Sequence, residues 1–427
     1  MIEPKATRTR YWVIVFAVTL AIITYIDRVC ISQAAPLITK DLGLSAVENG
    51  YVFSAFTLAY ALFEIPGGWL GDLLGPRKVL MRIVVWWSVF TAATGWAWSF
   101  VSLLVTRFLF GAGEAGCFPN LTKAFTAWLP RHERVWAQGI MWMSARWGGA
   151  LTPLLVVWTL EYVSWRRAFA IFGTIGIIWA VFFYRWFRNN PRDQRSVNAA
   201  ELALLQGSEN NISGHGDVPW GTLLTSRTVW MLWIQYAALS YPWYFYITWL
   251  PTYLQEARRL EPQRAAILAG LPLLFGGLGS LASGLLSSPL NRWTQSVAKS
   301  RRVMALTGFC GASFLLLLSS QQIDPILASL LMGLASFAND LTMPGSWATC
   351  MDVGGRWAGT LSGSMNMMGN LGGSIAPVAI GYILRATHGN WVLTFYVASA
   401  VYLIGAACWL FIDPITPIQE ECTPPLR

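Results

Sequence analysis

Apolar stretches of about twenty residues recur along this chain, each followed by a short polar segment. A helix of that length crosses the hydrocarbon of a bilayer, and inside a bilayer only helices and closed barrels satisfy their own backbone hydrogen bonds. Of the 427 residues, 55% are hydrophobic and 12% charged, against roughly 25% charged in a soluble domain. That balance excludes a disordered chain and argues against a soluble enzyme. The abundant Gly, Trp and Phe (38, 24 and 22 residues) fit membrane helices and interfacial aromatic belts.

Reading for span length predicts crossings near 12–32, 48–70, 79–98, 102–122, 136–159 and 166–187. Six more follow near 229–254, 265–287, 302–321, 325–348, 357–384 and 390–412. The stretch from Tyr11 to Ser32 is too long for a signal-peptide core and lacks a small-residue cleavage site, so it reads as the first span. Between the two sets lies the one long polar segment, 188–227, which reads as a cytoplasmic linker. The expected fold is an all-α membrane protein of twelve transmembrane helices in two pseudo-symmetric six-helix bundles, 1–187 and 228–427, the second with a short tail. The halves echo each other: Pro36 with Pro251, Gly68 with Gly284, Pro119 with Pro344, and Trp136–Ala137 with Trp357–Ala358, at offsets of 215 to 225. A parallel six-helix repeat predicts such offsets and is a transporter architecture.

The net charge of +9 is spread in short runs between apolar stretches, which encodes topology rather than a nucleic-acid surface. With the N-terminus inside, nineteen Lys and Arg, from Lys5 to Arg427, fall on the cytoplasmic side and seven on the other. Both termini are therefore expected in the cytoplasm, with the chain in the inner (plasma) membrane. The cysteines at 30, 117, 310, 350, 408 and 422 form no CxxC, and His132, His215 and His388 are scattered. They read as packing groups, with no metal site or cofactor expected.

Arg28, Arg107, Lys123 and Arg146 cannot be placed in any loop. A charge at mid-bilayer costs roughly 2.5–3.5 kcal/mol on insertion scales, so each needs a partner or a wet cavity. Asp27 and Arg107 are expected at similar depth in the outer half, close enough to pair. Glu114, two turns beyond Arg107 near mid-membrane, has no neutralising neighbour on its own helix and reads as a group that loads and releases a proton. Arg28 and Arg146 read as central cations for an anionic substrate, because a guanidinium matches a carboxylate bidentately. Tyr60, Tyr241 and Tyr244, with Tyr25, are expected to present rings and hydroxyls to the site. Asn366 and Asn370 lie one turn apart in the eleventh span. Asp340 is expected in the inner part of the tenth, as a gating, capping or substrate group.

The run GWLGDLLGPRK at 68–78 resembles the signature loop of the major facilitator superfamily, and RFLFGAGEAG from Arg107 its fourth-span motif. Together with TYIDR at 24–28, RFLFGAGEAGCFPN at 107–120 and SGSMNMMGNLGG at 362–373, the chain resembles the anion:cation symporter family along essentially its whole length. That family includes bacterial sugar-acid/proton symporters, sialin and the vesicular glutamate transporters. The resemblance implies two bundles rocking about a central site. It assigns proton coupling to Asp27 and Glu114, the substrate carboxylate to Arg28, and substrate contacts to Tyr25, Tyr60, Trp347 and Asn366. It makes Asp72, Arg77 and Lys78 a cytoplasmic latch. Leu73 and Ser288 depart from the latch pattern, and Arg146 stands where sugar-acid carriers have a neutral residue, which would favour a dicarboxylate or another acid.

The function expected is a proton-coupled symporter of a small organic anion, a sugar acid or related carboxylate, acting as a monomer in the lipid bilayer by alternating access. An uncoupled facilitator or exchanger of organic anions is the alternative. No nucleophile–base or metal spacing points to an enzyme, and no GxxxxGK[ST] loop points to ATP.

Overall fold

A computed structural model describes residues 5–205, 218 and 220–418. His215, Cys422 and Arg427 lie outside the described residues. The first half contains α1 (Tyr11–Leu42), α2 (Ala46–Leu74), α3 (Pro76–Thr94), α4 (Phe100–Glu114), α5 (Cys117–Trp128), α6 (Arg131–Tyr162) and α7 (Trp165–Trp186). Short helices α8 (Ala199–Leu204) and α9 (Trp220–Thr225) lie in the connecting segment. The second half begins with α10 (Arg227–Thr248), prolonged by α11 (Leu250–Thr252) and a π-turn at Tyr253–Ala257. It continues through α12 (Pro262–Ala269), α13 (Leu271–Thr294), α14 (Val297–Ser320), α15 (Pro325–Gly354), α16 (Ala358–Ala386) and α17 (Trp391–Phe411).

Local chemistry sets the ends of these rods. Ser45 opens α2 with a capping box closed by Glu48, and Ser99 caps α4 through the amide of Ser102. Gly43, in the left-handed region at φ 65°, ends α1. Two rods run further than their apolar cores: α1 continues through Pro36 to Leu42, and α15 continues to Gly354. Asp27 sits near the middle of its helix. Asp340 likewise sits at the middle of the thirty-residue α15.

The fourth span is broken. Ala115 turns extended and Gly116 takes φ 82°, where a Cβ would lie 2.6 Å from the Gly67 Cα. Only glycine fits both the backbone and the approach. The break leaves Glu114 as the last residue of α4 and drives α5 into the centre, where all twelve of its residues are buried.

Among the described residues, seven helical stretches are long and apolar enough to cross a membrane, one of them (Pro325–Ala386) covering both α15 and α16. The rods that fall short are α2, α3, α6 and α10. Of these α2 and α6 carry Glu64 and Arg146, while α3 opens on Pro-Arg-Lys.

Within the first half α1 packs on α6 and α7, α2 on α4, and α3 on α4 and α7; within the second α10 packs on α16 and α17, and α15 on α13 and α14. Two seams join the halves, α2 against α16 and α6 against α13, with α5 wedged against α15 and α16. The seams are equivalent under the sequence repeat. A Cβ on Gly68 would lie 2.2 Å from the Gly359 carbonyl oxygen, and one on the matching Gly284 would lie 3.1 Å from the Trp136 Cα. The segment after α7 is docked: buried Glu201 accepts from the Thr9 and Arg10 amides at 3.2 and 3.1 Å and pairs with the Arg10 guanidinium at 3.1 Å.

Candidate functional site

At the centre, Arg28 projects from mid-α1 towards the break in the fourth span. Its Nε meets Glu114 Oε1 at 2.6 Å; the Arg28 side chain is 20% exposed and Glu114 fully buried. The guanidinium sits in an aromatic cage, 4.4 Å over Tyr60, 5.5 Å over Phe56, 5.7 Å over Tyr25 and 5.8 Å over Phe118. The π faces favour the cation and leave its edge for a carboxylate. Glu114 is neutralised from another helix, a partner that spacing along its own helix cannot show.

Asp27 and Arg107 are both buried but form no ion pair. Neither Asp27 oxygen nor the Arg107 Nε and Nη1 has a hydrogen-bond partner, and the Arg107 guanidinium lies 4.2 Å over the Phe110 ring, one turn along its own helix. The expected Asp27–Arg107 pair is thus not made in this conformation.

Arg146 is not a free second cation. Its Nε and Nη2 meet Asp340 Oδ2 and Oδ1 at 2.8 and 3.1 Å, a bidentate bridge from α6 to α15. The indole of Trp243 lies 3.4 Å from its Cζ. Asn339 Nδ2 donates to the same carboxylate at 2.8 Å.

Across the α2–α16 seam, Asn366 Nδ2 donates to Glu64 Oε1 and lies 3.4 Å from the Tyr60 hydroxyl. Asn370 Nδ2 donates to the Asn366 carbonyl at 3.0 Å, and the Tyr244 hydroxyl donates to Asn370 Oδ1 at 3.1 Å. Trp347 Nε1 donates to the Tyr236 hydroxyl at 2.9 Å, with its ring 5.2 Å from Trp142. Tyr241 is rotated off this face: Gly369 and Gly373 of α16 pack on Tyr236, Ser240 and Tyr244, whereas the Tyr241 hydroxyl has no partner. Sequence reading missed Glu64 and Tyr236. A Glu in an apolar run was the available signal for the first.

A second cluster lies at the end of the molecule where α1 begins and α17 ends. Asp72 accepts from the Gly359 and Thr360 amides at 3.0 and 2.6 Å and from Thr360 Oγ1 at 2.7 Å, all across the seam. Lys123 pairs with Asp72 at 3.2 Å and also donates to the Arg356 carbonyl. Asp352 of α15 pairs with Arg134 of α6 and, at 2.5 Å, with Arg301 of α14. Arg77 instead binds the Tyr184 carbonyl at 2.8 and 3.1 Å within the first half, and Lys78 is exposed. Neither joins the cross-seam cluster, because the first turn of α3 points them towards α7 and solvent.

A family model described as Major Facilitator Superfamily matches residues 17–377. The chain belongs to this superfamily. It is a multi-pass membrane transporter rather than an enzyme. It is 35% identical over 417 residues to a probable sulfoacetate transporter, SauU, of Cupriavidus necator, covering 97% of this chain and 96% of that one. It is 31% identical to a D-galactonate transporter of Escherichia coli, covering 96% of each, and 30% identical to a hexuronate transporter of Bacillus subtilis, covering 94% of each. In fold it is similar to the proton:xylose symporter XylE, with a TM-score of 0.72 at 13% identity over 95% of this chain and 97% of that one. The human organic anion transporter MFSD10 gives 0.71 at 14% identity over 94% and 99%.

Proposed function

We propose that this protein is a proton-coupled symporter of a small organic anion, a sugar acid or related carboxylate, in the inner membrane. The observation that carries the reading is the caged Arg28 guanidinium bridged to Glu114 at 2.6 Å. A substrate carboxylate seeking Arg28 competes with Glu114, and protonating Glu114 releases the guanidinium. Proton and anion then favour the same rearrangement, which is the thermodynamic content of coupling.

The charge balance supports this. Four buried carboxylates (Asp27, Glu64, Glu114 and Asp340) face three guanidiniums (Arg28, Arg107 and Arg146). With one carboxyl more than there are guanidiniums, the site has a place for a proton that enters with the anion. The relatives named as transporters of galactonate, hexuronate and sulfoacetate support an acid as cargo.

In this account residues 1–187 and 228–427 are the two moving bundles, crossing the bilayer twelve times with both termini cytoplasmic. The contacts of Asp72, Lys123 and Arg134 with the second half hold the cytoplasmic end shut, and Arg28 is reached from the other end. Tyr25, Tyr60, Tyr244, Trp347, Asn366 and Asn370 line the anion's path.

The test is binding and uptake. Purified protein is screened by thermal shift against aldonates, uronates, aldarates and sulfonates, and the stabilising acid is then followed into proteoliposomes with an acidic exterior. Accumulation above equilibrium supports symport. Binding with equilibration alone contradicts it.

A further inference from the structure

Glu64, Glu201 and Asp352 are buried carboxylates to which no sequence motif gives a role; arginines take up Glu201 and Asp352, and Glu64 is left. It lies one turn after Tyr60 on the α2 seam, fully buried, with Oε1 held by Asn366 of α16. Its other oxygen, Oε2, has no hydrogen-bond partner. Unlike Glu114 and Asp340, it has no guanidinium or ammonium within ion-pair distance among the described residues. The ring of Tyr60 carries Arg28 at 4.4 Å, and the Tyr60 hydroxyl is 3.4 Å from Asn366. Arg28 and Glu64 thus flank one tyrosine, a cation on one side and a carboxyl with an unpartnered oxygen on the other. Asn366, Asn370 and Tyr244 continue the polar wall beyond Glu64.

We propose that Glu64 is a specificity residue of the transport site: its free oxygen receives a hydroxyl or ammonium donor of the bound anion, a donor that a second carboxylate in that place cannot supply. The substrate class is then a monoanion, with its acid group on Arg28 and a hydrogen-bond donor some atoms away. A buried acceptor left unpaired discriminates strongly for the ligand that supplies its donor. A dianion that brings a carboxylate instead of a donor leaves that oxygen unpaired. The proposal rests on the anion-transport reading above and adds to it a preference between acids.

The experiment titrates D-gluconate and D-glucarate, which share a carbon chain and differ in one terminal carboxylate, into the full-length protein by calorimetry. Wild type, Glu64→Gln, Glu64→Ser and Arg28→Gln are compared. Wild type is expected to favour gluconate by about tenfold or more. Glu64→Gln should bring the two acids within about threefold, mostly by tightening glucarate. Glu64→Ser supplies the same comparison should the Gln variant not fold. An unchanged gluconate-to-glucarate ratio, or a wild-type preference for glucarate, overturns the assignment of Glu64. If wild type binds both and Arg28→Gln binds neither while the ratio ignores position 64, the Glu64 proposal alone fails. If wild type binds neither acid, the sugar-acid reading fails and this proposal with it.

Discussion

Neutralising Asp72 should open the end of the protein where α1 begins and α17 ends. The carboxylate takes three hydrogen bonds across the α2–α16 seam, from the Gly359 and Thr360 amides and the Thr360 hydroxyl. Bonds to a charged acceptor contribute about 1.5–3 kcal/mol against about 0.5–1.5 for a neutral one. Asp72→Asn therefore removes about 1 kcal/mol per bond, roughly 3 kcal/mol in all. The ion pair with Lys123 lies within the first half, so it persists whether the halves are apart or together. Its loss lowers overall stability without favouring either state. The cross-seam share alone shifts the open population about 100-fold. A cysteine at buried Ala358, in a background lacking the native cysteines, reports that population through its alkylation rate with a hydrophilic maleimide. Asp72→Asn should raise the rate about 100-fold, and Thr360→Ala, which loses one bond to the charged acceptor, by about tenfold or more. A rate within about threefold of the parent in both variants would refute the reasoning, placing the restraint elsewhere.

Arg28→Gln should weaken anion binding by roughly ten- to over a hundredfold, the loss of a charge-assisted contact of about 1.5–3 kcal/mol; calorimetry on properly inserted protein checks it, and unchanged affinity removes Arg28 from the site. Arg146→Gln strands Asp340 in the interior, which costs about 3–5 kcal/mol and should lower the Tm. Arg146→Gln with Asp340→Asn should recover most of the loss, and a double variant as unstable as the single would argue against the bridge.

The helical rods, their order and the repeat were legible because span length and offset are local or periodic properties. Buried charges were legible as problems needing partners, but not the partners. Arg28, Lys123 and Arg146 find Glu114, Asp72 and Asp340 on other helices, at sequence separations that no pattern encodes. Asp27 and Arg107, matched by depth alone, stay apart because depth does not fix the rotation of a helix about its axis, and Arg107 lies on Phe110. Tyr241 failed for a rotational reason too: α10 presents Tyr236, Ser240 and Tyr244 to α16, one helical step away. Arg77 and Lys78 came from the signature loop as a block, yet the turn into α3 separates them from Asp72.

The central claim, that anion and proton move together through the Arg28–Glu114 pair, is tested most directly by reading protons and substrate at once. Proteoliposomes loaded with a pH-sensitive dye receive the transported acid with no imposed gradient, and internal pH and labelled substrate are followed together. The account predicts internal acidification in step with uptake by the wild type. For Glu114→Gln it predicts none, although that variant still exchanges labelled for unlabelled substrate at equal pH. Substrate entry without acidification in the wild type, or acidification that persists in Glu114→Gln, would contradict it.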